Sequence, residues 1–243
     1  MDTKTFFLLL GDIDPRYLTE RRPHRSLVRW AAAAAACLAL VLTLAVTVGR
    51  GERLPLSNAS SGVTVRYRDP GSQSVMQSYC LVPLTEEELF TRWDTLIVRG
   101  TIETIRNIEL DFHGERFPRA IATVRVEHVY RGSPGETVTI LLPCPIGTEV
   151  YVSATETAAA MREGMEGIFM ATVYDETSLF QANGGTLCLR DIAETGLPDG
   201  VRWAFLDTPE GLLYAEDSFP GAAGAADLDQ IGAYIETMLA RLS

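Results

Sequence analysis

The side chains able to do chemistry are few, and their spacing scatters them. Cys37, Cys80, Cys144 and Cys188 are the four cysteines, and no two stand as C-x-x-C. That spacing puts two thiolates on one zinc ion or closes a redox pair, so neither chemistry is encoded locally. Asp111, His113 and Glu115 alternate within LDFHGER. Three such groups could ligate a cation, but alternate residues between two strand-like runs fit a solvated hairpin tip better. His128 lies in the second of those runs and reads as a partly buried structural histidine. A thiol nucleophile would need Cys144 or Cys188 beside His113 or His128, with a third group orienting the imidazole. No G-x-S-x-G, P-loop or H-E-x-x-H stretch occurs. The sequence assigns no catalytic residue, no cofactor-binding residue and no metal ligand, and the expected class is a non-enzyme.

These groups hang on a β-rich region expected over 85–243. Its first element is TEEELFTRW, where Thr85 and Glu88 form a capping box and Leu89, Phe90 and Trp93 are the buried side of a short helix. TLIVRGTIETI then alternates: Leu96, Val98 and Ile102 face one way, Arg99, Thr101 and Glu103 the other. AIATVRVEHVYRG gives a second strand with Ala122, Val124 and Val126 inward. TVTILLP gives a third, with Val138, Ile140 and Leu142 on one face. Ser153 and Glu156 read as a second capping box, opening a helix over ATETAAAMRE that stops at Gly164. GIFMATVYD is a fourth strand, and LFQANGGTLCLRD a fifth element around Asn-Gly-Gly. VRWAFLDTPEGLLYAED reads as an appended hairpin, and Leu228, Ile231, Ile235, Met238 and Leu242 make one face of a final helix.

Three strands, a helix and two strands is the order of an OB-like Greek-key barrel, so the expected fold is mainly β with α. The run from LIVRGTIETI to MEGIFMATVYD resembles bacterial OB-like domains distantly similar to the TIMP/netrin module. In that module metalloprotease inhibition depends on a free N-terminal cysteine that chelates zinc. Here the barrel follows an anchor and a linker, so the resemblance carries over the fold and not the activity. Cys144 follows the third strand and Cys188 sits on the fifth element. Outside the membrane the two could form a disulfide; they could equally be two buried thiols, and both readings stay open. Cys80 is then left on the linker.

Upstream, Trp30 to Val48 is a run of 19 residues without a charge. As a helix it spans roughly 28 Å, close to the thickness of a bilayer's hydrocarbon core. Arg16, Arg21, Arg22, Arg25 and Arg29 crowd its N-terminal side, against Arg50 and Arg53 beyond it. The positive-inside rule then predicts a single-pass cell-membrane protein with residues 1–29 in the cytoplasm, 30–48 as transmembrane helix and the rest outside. AVTVGRGER is a poor cleavage site, so the helix reads as a retained anchor. Residues 49–84, with LPLSNASSG and RDPGSQS around the brief run VTVRY, read as a linker. In the tail, Phe6, Leu9, Leu10, Ile13 and Tyr17 recur at three- and four-residue steps. This stripe has no core of its own to join and must lie on the membrane or in a partner's groove.

Residues 50–243 hold 15 Arg, no Lys and 28 Asp and Glu, a balance of −13. Such a body repels nucleic acid and anionic lipid. A tail bearing LLGDIDPRYLTE, then an Arg-rich patch and an Ala/Leu/Val anchor, is similar to Gram-positive single-pass proteins encoded beside sigma factors. The resemblance implies an inner tail that holds a cytoplasmic regulator and an outer domain that senses a ligand, here unknown. The alternative is an extracytoplasmic interaction module whose tail only sets topology, with a surface enzyme as a third reading.

Overall fold

Alternating apolar residues build a sheet that closes on itself. The computed structural model describes residues 51–69, 76–77, 81–148 and 151–242. The predicted anchor at 30–48, the Phe6–Tyr17 stripe, Cys37 and Cys80 lie outside them. Among the described residues no helix is long and apolar enough to cross a membrane.

Strand β1 (Val63–Tyr67) and the two-residue β2 (Met76–Gln77) precede helix α1 (Glu86–Thr91). The strands β3 (Thr95–Phe112), β4 (Glu115–Arg131) and β5 (Thr137–Leu142) follow as a meander. Next come β6 (Tyr151–Val152), the single-turn α2 (Glu156–Ala159) and β7 (Glu166–Val173). A hairpin of β8 (Leu179–Ala182) and β9 (Gly185–Cys188) leads to the short β10 (Thr195–Gly196). A second hairpin, β11 (Ala204–Thr208) and β12 (Gly211–Leu213), precedes helix α3 (Leu228–Leu242). The architecture is mainly β.

β3 pairs antiparallel with β4 along nearly its whole length and with β7 through Thr95–Thr101. β10 lies parallel to β5 and antiparallel to β7. The pairings β3–β4–β5–β10–β7–β3 therefore form a ring. Three register shifts in β3, near Ile97, Gly100 and Ile102, bend it enough to serve both neighbours. At Gly100 the strands come so close that a Cβ would sit 2.1 Å from the Arg125 carbonyl oxygen.

Period-two alternation decides which core each side chain enters. Val124, Val138, Ile140 and Leu142 are fully buried in the larger core with Leu96, Val98 and Ile102, as expected. Helix α1 closes one side of it through Leu89 and Phe90, started by the Thr85–Glu88 capping box. Helix α3 adds Leu228, Ile231, Ile235 and Met238, while Leu242 is only half-buried. Not all of the intervening residues face water, though Arg125 and Thr137 do. Ile121 and Leu141 join Val63, Val65, Ile108, Leu110, Phe112 and Leu187 in a second core on the opposite face.

That second core corrects the linker reading. VTVRY is strand β1, paired with Ile108–Phe112 of β3, and residues 52–54 pair in turn with β1. The compact unit accordingly begins at Gly51 and not at residue 85. A five-residue strand framed by Gly, Ser and Asn looks like a linker until its partner is known. The fifth ring strand is also reassigned. LFQANGGTLC forms its own two-stranded sheet, turning at Asn183 and Gly184, both with positive φ, and Thr195–Gly196 closes the ring. Finally, α2 is four residues long. Thr155 occupies its N-cap without a side-chain cap bond, its hydroxyl donating to the Val152 carbonyl instead, so the predicted Ser153–Glu156 box is not what starts the helix.

Candidate functional site

The face carrying the second core is not wholly covered. Between the end of β5, the loop after β7 and the Leu197–Arg202 segment lies a cleft of about 390 Å³. Leu110, Leu141, Phe180 and Leu189 line one side, and Trp93, Leu197 and Pro198 another, with Leu81 and Val82 among the lining residues. Its polar members are Arg119, Thr155, Tyr174, Asp199 and Arg202.

The Asp199 carboxylate is the anchor of one wall. Oδ1 accepts the Val201 and Arg202 backbone N–H groups, while Oδ2 accepts Arg202 Nε and Nη2 and the Trp203 indole. Arg202 Nη1 donates to the Val82 carbonyl at 2.8 Å, tying that segment to the wall. The Gly200 carbonyl accepts Ala158 N–H, so the loop is fixed to α2. A Cβ at Gly200 would lie 2.4 Å from the Thr155 Cα, which makes glycine necessary for this approach.

The other polar wall comes from the ring. Arg119, on β4, is buried and donates Nη1 to the Pro118 carbonyl at 2.8 Å. Tyr174 follows β7, and its hydroxyl lies over Gly196, where a Cβ would come within 2 Å of it. Burial pushes the Tyr174 phenol up to about 12, an effect that the Arg119 charge partly offsets. A guanidinium and a phenol thus line the same cleft.

The groups singled out in the sequence are dispersed. His113 and Gly114 both have positive φ and make the two-residue turn between β3 and β4. Asp111 accepts Gly114 N–H at 2.7 Å and faces Arg116 at 3.7 Å, and Glu115 is exposed, so the trio is a hairpin tip. Among the described residues no three His, Cys, Asp or Glu gather as metal ligands would. His128 is exposed rather than partly buried, with its ring 4.5 Å from Tyr130 and Nε2 3.9 Å from Glu236. β5 pairs with β4 only as far as Arg125, so at His128 the strand no longer has that neighbour.

Cys144 and Cys188 are both buried and free. Cys144 belongs to the larger core, where burial pushes its thiol up to about 11, with Thr155 and Arg119 opposing. Cys188 Sγ instead points at the Asp175 carbonyl, 3.5 Å away. The disulfide alternative gives way to the two buried thiols.

Sequence reasoning missed Arg119, Tyr174, Asp199 and Arg202. Two signals were there: an arginine opening the apolar run RAIATV, and the turn-forming LPDG before Val201. Comparison with family models, curated proteins and solved structures returns no match.

Proposed function

We propose that residues 51–242 are a non-catalytic binding module and that the Arg119–Tyr174 cleft is its ligand site. One observation carries this reading: a largely apolar concavity of small-molecule size with a few convergent polar groups, the usual make-up of a ligand pocket. The ring order supports an OB-like reading of the domain, since a three-stranded meander, a helix and then β7 and β10 follow that plan. On this reading β1 and the β8–β9 hairpin take up part of the binding face, and the cleft is what remains open. The anchor at 30–48 holds the module outside the cell. The Phe6–Tyr17 stripe engages a cytoplasmic regulator such as a sigma factor, and the whole is a membrane-bound sensor.

The test is a neutral naphthylamine dye titrated into the domain. Saturable fluorescence enhancement is expected, and Leu189→Trp, which fills the cleft from a half-buried position, should abolish it. Equal enhancement in parent and variant would place the dye elsewhere and remove the cleft as the site.

A further inference from the structure

The charged groups that line the cleft are all bonded within the protein. The Asp199 carboxylate accepts from the Val201 and Arg202 backbone, the Arg202 guanidinium and the Trp203 indole. All three guanidinium nitrogens of Arg202 donate, Nε and Nη2 to Asp199 and Nη1 to the Val82 carbonyl. Arg119 is engaged as well, with Nη1 on the Pro118 carbonyl. A charged ligand would lose its water here and then have to compete with these bonds, which is costly in an apolar site. The Thr155 hydroxyl is also committed, donating to the Val152 carbonyl.

Tyr174 differs. Among the described residues no hydrogen bond reaches its hydroxyl, and only burial and the Arg119 charge act on it. Gly196 gives that hydroxyl its place, since a Cβ there would come 1.9 Å from the oxygen. The enclosed side-chain atoms without a partner are Arg66 Nε, Thr95 Oγ1, Arg131 Nη2 and Thr172 Oγ1. The Tyr174 oxygen is not one of them, so it is not sealed off, and its residue lines the cleft. With its pKa pushed up to about 12, the phenol keeps its proton at neutral pH and offers an O–H donor. The rest of the lining is chiefly hydrocarbon, with Leu110, Leu141, Phe180 and Leu189 on one side.

We propose that the cleft takes an uncharged, largely hydrocarbon molecule with a carbonyl-type acceptor, and that the acceptor receives the Tyr174 O–H. This rests on the binding-module reading, and the experiment separates the two. The full chain in lipid nanodiscs is photolabelled with diazirine-bearing decanone or the matching decane, and labelled peptides are mapped by mass spectrometry. Site mapping distinguishes cleft occupancy from partition into the bilayer. Each probe is compared between the native chain and Tyr174→Phe, so that its partition cancels.

The expected result is saturable labelling of peptides containing Leu141 and Phe180–Leu189. Tyr174→Phe should raise the half-saturating concentration of the ketone about fivefold and leave that of the hydrocarbon unmoved. An equal ketone value in both chains overturns the hydrogen bond. Unlabelled decanoate that displaces the ketone at or below the free concentration of unlabelled decanone overturns the uncharged class. In either case the binding reading stands. If neither probe labels the cleft peptides above a denatured control, both fall. Should Tyr174→Phe fail to fold, the carbonyl stretch of isotope-labelled decanone on the native chain decides: a lowered frequency relative to the ketone in hydrocarbon supports the bond, and an equal one overturns it.

Discussion

Arg202 and Asp199 form an ion pair in the wall of the cleft, Nη2 to Oδ2 2.7 Å, with 8% and 13% of their side chains exposed. The carboxylate also holds the Trp203 indole and two backbone N–H groups, so one side chain organises the whole turn. Asp199→Asn keeps the shape but removes the charge and turns an N–H₂ group toward donors. The buried Arg202 is then uncompensated, at a cost of about 3–5 kcal/mol. Urea unfolding should show a lowered midpoint with an unchanged slope. A midpoint equal to the parent's would mean that this pair does not organise the turn.

Val65 is 1% exposed in the second core, although its segment looks like linker sequence. Val65→Asp places a carboxylate among Ile108, Leu110 and Phe112 and should cost several kcal/mol, as Val124→Asp should in the larger core. Circular dichroism melts of both variants check this. A Val65→Asp domain that melts like the parent would make β1 a detachable strand.

The buried phenol and thiol predict alkaline sensitivity. Tyr174 is shifted from an ordinary 10.0 to about 12, and Cys144 from 9.0 to about 11. Below the ordinary values both states are protonated and the contribution to stability is whole. As pH rises from 9 to 12 the unfolded chain loses these protons first, so stability falls through that window. Each group accounts for roughly 2–3 kcal/mol. Tyr174→Phe should flatten the loss between pH 10 and 12 in denaturant titrations. An unaltered slope there would show that Tyr174 ionises freely in the folded domain.

If the tail docks in a partner's groove as proposed, replacing Phe6, Leu10 and Ile13 by Ser removes about 2 kcal/mol of burial each. On that proposal co-purification of a cytoplasmic sigma factor should be lost, while added protease should reach residues 51–243 of parent and variant alike in wall-stripped cells. Arg21→Gln with Arg22→Gln should leave the capture intact. Retention of the partner by the Ser variant would reduce the tail to a topology signal.

Sequence alone determined whatever depends on near neighbours. The Thr85–Glu88 box, the inward set Val138, Ile140 and Leu142, and the stripe from Leu228 to Met238 repeat at the period of their own element, so each is written within a few residues. Tertiary structure alone decided what depends on distant ones. Thr195–Gly196 is too short to show any period, and it is a strand only because β5 and β7 leave a gap that its backbone fills. Val63–Tyr67 is a strand because β3 outlasts β7 and offers it an edge. Arg119, Tyr174 and Asp199 line one cleft because ring closure brings a strand, a post-strand loop and a pinned turn around it, and no local spacing encodes that.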